Sequence, residues 1–236
     1  MDDLPYANDA CENDSKGRDN CERCKRPVRC CLCGSLPKSA IQLRDGLRIT
    51  ILQHPNERKR VLSTTRILQL CIPDVKIVTC HRIRFAEHPQ LNLSHPNTLL
   101  IYPSPQATDL PSEIEGHHLV FLDATWSEVK KMYLSSPDLK DIKHVKLTSE
   151  TVSKFVIRSQ PKDKFLSTIE SVAICLKQIP SYNDISKILL KPLDLMCRYQ
   201  IDLGGCTVHE SVESRVRNNT YEKPLSQKRR RYLLDS

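Results

Sequence analysis

The stretch Leu119-Val120-Phe121-Leu122-Asp123-Ala124-Thr125-Trp126 decides the fold. Four consecutive apolar residues, Leu119–Leu122, read as a strand buried on both faces of a parallel sheet. Asp123-Ala124-Thr125-Trp126 then turns the chain into a helix ending near Tyr133. Upstream, Leu47–Gln53 alternates, carries β-branched residues and reads as another strand. It stops at His54-Pro55, because proline cannot continue a ladder. The spacing predicts a helix from about Arg60 to Leu70, with Val61, Leu62, Ile67, Leu68 and Cys71 on one face and Pro73 as its stop. Val75–Thr79 and Thr98–Tyr102 read as further strands. Thr168–Ile179 and Asp184–Tyr199 read as helices. Strands alternating with helices predict an α/β fold, a mostly parallel sheet with helices on both faces.

At 236 residues the chain suits one compact domain, or one domain plus a small appendage. Its 39% hydrophobic and 27% charged residues exclude a wholly disordered chain. No apolar run approaches the ~18 residues of a membrane span. The first twenty residues, MDDLPYANDACENDSKGRDN, are acidic and polar, unlike a signal or transit peptide. They predict a disordered leader, 1–20, on a soluble intracellular protein without a membrane partner.

Charge is unevenly spread over the net +8. Residues 1–20 sum to −4, 21–66 to +8, and Thr207–Ser236 to +3, including Lys228-Arg229-Arg230-Arg231. Basic segments flanking a near-neutral middle suggest a polyanionic partner, nucleic acid above all.

Six of the eleven cysteines fall within the first 33 residues. Cys21 and Cys24 form a C-x2-C pair, and Cys31 and Cys33 a C-x-C pair. Four thiolates at these spacings match a closed structural zinc site in a segment, 21–40, too small for its own core. A redox pair or unligated thiols are the other readings, and Cys30 competes with Cys31 for the third position. The scattered cysteines read as small buried hydrophobes.

Polar residues gather at the ends of predicted strands, where open α/β sheets bind ligands. His54 and Glu57 could act in acid–base chemistry or cap the next helix. Asp123, Thr125 and Trp126 offer an acceptor, a hydroxyl and a stacking plane. Thr125 with Glu128 equally spells a capping box, and Trp126 a core residue. Arg158, read at the end of a strand over Phe155–Ile157, could clamp a carboxylate or phosphate. Ser167 or Thr168 with Glu170 marks a helix start, which favours anions. Six glycines and no GxGxxG or P-loop leave little room for a glycine-rich nucleotide cradle.

These residues together resemble the DTW-domain family. The resemblance rests on C-x-x-C-x-R-P-x3-C-x-C over Cys21–Cys33, Gln53-His54-Pro55-x-Glu57 with Thr64, and Leu100-Ile101-Tyr102-Pro103. It continues through D-x-T-W at Asp123–Trp126, Ile157-Arg158-x-x-Pro161, Leu166-Ser167-Thr168-x-Glu170 and Lys191-Pro192-Leu193. The match runs in order from about residue 21 to 205. Ala124 departs from it, since many members carry glycine there.

The resemblance implies a tRNA-uridine aminocarboxypropyltransferase. Such enzymes move the 3-amino-3-carboxypropyl group of S-adenosylmethionine to N3 of an unpaired uridine, expected in the D-loop, and release methylthioadenosine. It also implies a SPOUT-like catalytic domain over 41–205 with a C-terminal trefoil knot, followed by a basic tail, 206–236. In this reading Asp123 accepts the N3 proton, Thr125 positions it or the cofactor, and Trp126 stacks on the base. Tyr102, Pro103, Arg158, Ser167, Thr168 and Glu170 line the cofactor pocket, with Arg158 on its carboxylate. His54, Glu57 and Thr64 serve the substrate side, and Cys21, Cys24, Cys31 and Cys33 hold structural Zn2+. The expected partner is tRNA, in nucleus and cytoplasm. A SPOUT-type RNA methyltransferase and a non-catalytic, zinc-stabilised RNA-binding factor are the alternatives.

Overall fold

The computed structural model describes residues 19–147, 153–157, 166–182 and 184–204. The expected leader and basic tail, with Lys228–Arg231, lie almost wholly outside them, as does Arg158.

A six-stranded sheet forms the centre, ordered β2-β1-β5-β3-β6-β4 with every pairing parallel. The strands are β1 (Arg48–Gln53), β2 (Lys76–Thr79), β3 (Thr98–Ile101), β4 (Thr108–Asp109), β5 (His118–Asp123) and β6 (Lys143–Lys146). The helices are α1 (Pro55–Arg58), α2 (Thr64–Cys71), α3 (Trp126–Ser135), α4 (Thr168–Lys177) and α5 (Ile185–Asp202).

Strand side chains alternate between faces, so one sheet feeds two cores. Ile49, Ile51, Leu119 and Phe121 face α2, α4 and α5, in a core with Leu68, Val172, Leu176, Leu193 and Met196. Leu52, Leu100 and Val120 face the other way, onto Met132 of α3 and the turns carrying Ile83, Leu91 and Leu139. Both faces are therefore covered, as the alternating pattern predicts.

Several expectations need correction. The helix read from Arg60 to Leu70 starts four residues later, and a separate short turn precedes it. Pro55 opens a single turn with His54 as its N-cap, and α2 begins only at Thr64 after Ser63. Val61 and Leu62 lie in the connection, so their helical spacing was coincidental. Phe155–Ile157 is a turn and not a strand. Its Val156 N–H closes back onto the Lys154 carbonyl at 2.9 Å, which a strand would send to a neighbour.

Two glycines fix the amino edge of the sheet. Gly46 and Gly116 both hold left-handed φ, and a Cβ on Gly46 would lie 3.4 Å from Gly116 Cα. The Gly116 N–H donates to the Asp45 carbonyl at 2.8 Å, setting β1 against β5 at their starts. Among the described residues, no helix is long and apolar enough to cross a membrane.

Candidate functional site

Parallel strands end on one side, and the carboxyl ends of β1, β5, β3 and β2 bring the polar residues together. Gln53 and Asp123 end adjacent strands in direct register. Asp123 is only 7% exposed, so its carboxylate must find donors within the protein. It finds three. Gln53 Nε2 donates to Oδ2 at 2.8 Å, Thr65 Oγ1 to Oδ2 at 2.7 Å, and Thr168 Oγ1 to Oδ1 at 2.7 Å. One carboxylate thus joins β5, β1, α2 and α4. Of these partners, Thr168 was an expected site residue, Gln53 stood only within the family motif, and Thr65 carried no sequence signal.

The next turn is a full capping box. Thr125 caps α3 while the Glu128 carboxylate accepts from Thr125 N at 3.1 Å and from its hydroxyl at 2.8 Å. The helix-capping reading of Thr125 is therefore the observed one. Trp126 is the first residue of α3 and is half-buried. The other oxygen of Glu128 turns outward, accepting from Asn56 Nδ2 at 2.7 Å and lying 3.4 Å from His54 Nδ1. Burial works against the Glu128 charge, but the hydrogen bonds from Asn56 and Thr125 prevail and hold its carboxyl below the ordinary range.

His54 follows Gln53, and its N–H donates to the Asp123 carbonyl at 2.9 Å. Its Nε2 lies 3.0 Å from Nδ1 of His81, which sits just beyond β2. The rings meet edge to face, with centroids 4.7 Å apart. No sequence pattern pointed to His81. Its place follows from the Cys80 N–H, which donates to the Gln53 carbonyl at 2.9 Å and draws the end of β2 alongside β1.

The remaining predicted residues divide. Tyr102 follows β3 and is half-buried, its ring 4.6 Å from that of Tyr133, while Pro103 is exposed. Burial raises the Tyr102 phenol above its ordinary range. Glu57 is buried and pairs with Arg60 Nη1 at 2.9 Å, and Thr64 is buried at the first position of α2. Ser167 caps α4 with Glu170 as its capping-box partner. Glu170 accepts from Ser153 Oγ, Lys154 N, Ser167 N and Ser167 Oγ at 2.6–2.8 Å. With that many donors spent on it, Glu170 holds the 153–157 turn against α4.

The cysteine segment docks on the larger core through Leu32 and Leu36. Tetrahedral zinc–thiolate bonds of about 2.3 Å would set sulfurs about 3.8 Å apart. Sγ of Cys21 and Cys33 lie 3.5 Å apart, those of Cys24 and Cys31 3.8 Å, and all four within 4.8 Å of one another. The four residues could therefore hold a metal ion. Cys30 is wholly buried and lies outside the group, which decides between Cys30 and Cys31. Backbone N–H groups of Cys24 and Arg23 lower the Cys21 thiol to about 6, toward the thiolate that a metal binds. Burial pushes Cys33 up to about 12, a thiol that would ionise only against a cation.

Comparison with known proteins places the chain. The DTW domain family model matches residues 18–201. The chain is 39% identical over 225 residues to tRNA-uridine aminocarboxypropyltransferase 2 of Drosophila melanogaster, covering 92% of this chain and 88% of the relative. It is 33% identical to the protein of that name in Mus musculus, covering 91% and 74%. With tRNA-uridine aminocarboxypropyltransferase A of Arabidopsis thaliana it shares 27% identity over 78% of this chain and 81% of the relative. No solved structure matches it.

Proposed function

The chain belongs to the DTW domain family, and from that premise we propose that it is a tRNA-uridine aminocarboxypropyltransferase, forming 3-(3-amino-3-carboxypropyl)uridine. The observation that carries this reading is the D-x-T-W turn at the carboxyl end of β5. Its Asp123 is fixed by Gln53, Thr65 and Thr168 from three other elements. Ligand sites of open parallel sheets lie at this edge.

The donor in this reading is S-adenosylmethionine, whose sulfonium activates the γ-carbon of the aminocarboxypropyl chain and leaves as methylthioadenosine. The edge suits such a group: the half-buried Tyr102 ring and Pro103 follow β3 beside it, and the first turns of α3 and α4 open onto it. Asp123 keeps the edge in one geometry, because Thr65 or Thr168 would lose a buried partner if α2 or α4 moved. Trp126 offers the uracil a stacking plane, and stacking selects an unpaired base. Arg158 belongs to the same proposal as the group for the donor's carboxylate.

The exposed bases Arg58, Lys59, Arg66, Arg82 and Arg84 occupy the elements that flank β1 and β2. They suit a tRNA backbone, and the D-loop is the proposed target because its uridines are unpaired. The metal is proposed as zinc, since four thiolates leave no open ligand position for catalysis. Buried Arg26 would offset the negative charge of such a centre from within the same turn. We also propose a SPOUT-like catalytic domain over 41–205 with a C-terminal knot. The parallel sheet supports this, as does the return of α4 to its middle strand through Thr168.

The test is nucleoside mass spectrometry of unmodified tRNA incubated with the full chain and the donor. An aminocarboxypropyl-uridine peak with equimolar methylthioadenosine is expected. Methyl-uridine with S-adenosylhomocysteine would make the chain a methyltransferase, and binding without either product a non-catalytic RNA-binding factor.

A further inference from the structure

Aminocarboxypropyl transfer to N3 requires a group to take the N3 proton, and the carboxylate of Asp123 is poorly placed for it. Three donors already occupy its two oxygens, and little of it meets solvent. Next to it lies a chain of titratable groups that no established role uses. Three strand ends build it: His81 follows β2, His54 follows β1, and Glu128 stands in the first turn of α3 after β5.

The chain is continuous. Glu128 Oε1 lies 3.4 Å from His54 Nδ1, and His54 Nε2 lies 3.0 Å from His81 Nδ1. His81 is exposed, whereas the His54 and Glu128 side chains are 12% and 16% exposed. The far end of the chain is therefore the part most open to solvent.

His54 Nδ1 has two claims on it. The Asn56 N–H at 3.3 Å needs its lone pair, and the Glu128 carboxylate needs a proton there. These define two tautomers. When Nδ1 accepts from Asn56, Nε2–H points at His81 and leaves the outer His81 nitrogen protonated. When Nδ1–H points at Glu128, His54 Nε2 accepts from His81 Nδ1–H. The outer His81 Nε2 then carries a free lone pair. The second state is a base, oriented by a histidine that is oriented by a carboxylate.

Resting on the aminocarboxypropyltransferase reading, we propose that His81 is the catalytic base that takes the uridine N3 proton, with His54 and Glu128 as its positioning residues. The step balances. The N3–H bond breaks and its proton forms a bond to His81 Nε2. The N3 electron pair forms the bond to the γ-carbon of the sulfonium donor, and the carbon–sulfur pair leaves with sulfur as a neutral thioether. The His81 imidazolium keeps Nδ1–H on His54, and His54 keeps Nδ1–H on Glu128, whose negative charge stabilises the cation. Exposed His81 then returns the proton to water. Among the described residues, the polar groups against the His54 ring are His81 from beyond β2, Asn56 from α1 and Glu128 from α3.

The test uses the full chain, tRNA and S-adenosylmethionine, with single-turnover formation of aminocarboxypropyl-uridine followed from pH 5 to 9. The wild type is expected to lose rate at acid pH as a histidine protonates. His81→Gln is expected to be slower at neutral pH by about a hundredfold, to lack that acid limb, and to recover part of its rate with added imidazole. His54→Gln should shift the limb. His81→Gln with wild-type rate, or with a loss that imidazole does not restore while the acid limb persists, overturns the proposal. If the wild type forms no aminocarboxypropyl-uridine at any pH, the functional reading itself fails.

Discussion

Thr168 Oγ1 donates a 2.7 Å hydrogen bond to Asp123 Oδ1 across 45 residues of sequence. That bond seats the first turn of α4 on the carboxyl end of β5, where Gln53 and Thr65 meet the other carboxylate oxygen. Asp123→Asn puts an amide N–H where a donor already points. We expect it to cost about 2 kcal/mol, with Thr168→Val costing about 1 kcal/mol. Denaturant unfolding of both variants checks this. A purely catalytic Asp123 would leave the unfolding midpoint unchanged.

The cysteine segment separates two kinds of buried sulfur. If the proposed zinc is bound, Cys24→Ser and Cys33→Ser should each release it, whereas Cys30→Ser should keep it and only lower stability. Metal analysis of the purified variants, beside thermal unfolding with and without a chelator, reads both. A wild-type chain carrying about one zinc per molecule is expected, and retention of zinc by Cys33→Ser would remove that residue from the site.

His118 sits at the amino end of β5 with Nε2 2.8 Å from Thr50 Oγ1. Burial first, then the nearby Arg48 and His95 charges, lower it to about 4. The unfolded chain binds this proton more readily, near its ordinary 6.5. The contribution of neutral His118 is therefore complete above pH 6.5 and lost as pH falls toward about 4. Denaturant midpoints across that range should decline in the wild type and decline less in His118→Gln.

Much of this architecture was legible because β1, β3 and β5 are apolar and β-branched, and the parallel sheet follows from such runs. β6 was not, since its two buried residues are His144 and Val145 and a buried histidine reads as polar. His144 is tolerated because Ser104 Oγ lies 2.6 Å from Nδ1 and the Leu139 carbonyl 2.7 Å from Nε2. At the site, Asp123, Thr125, Trp126 and His54 were visible from their places at strand ends, and Thr168 from its place at a helix start. Gln53 stood out only as part of the family motif and Thr65 not at all, because nothing local marks a residue as the donor to a distant carboxylate. One signal was available: an aspartate ending a buried strand must be satisfied, and the last residue of the neighbouring strand is its nearest source.

Binding of tRNA should be electrostatic. Affinity is expected to fall with a log–log salt slope of about −0.7 to −0.9 per phosphate neutralised. Lys59→Ala should lower that slope by about one. Filter binding between 50 mM and 200 mM salt measures it, and an unchanged slope would take Lys59 off the interface.

The central claim is that the aminocarboxypropyl chain, and not the methyl group, reaches uridine. Two parallel reactions test it directly, one with S-adenosylmethionine labelled in the aminocarboxypropyl chain and one labelled in the methyl group. Label in tRNA uridine from the first donor alone, with the methyl label recovered in methylthioadenosine, is the predicted result. Methyl label in the uridine would contradict it.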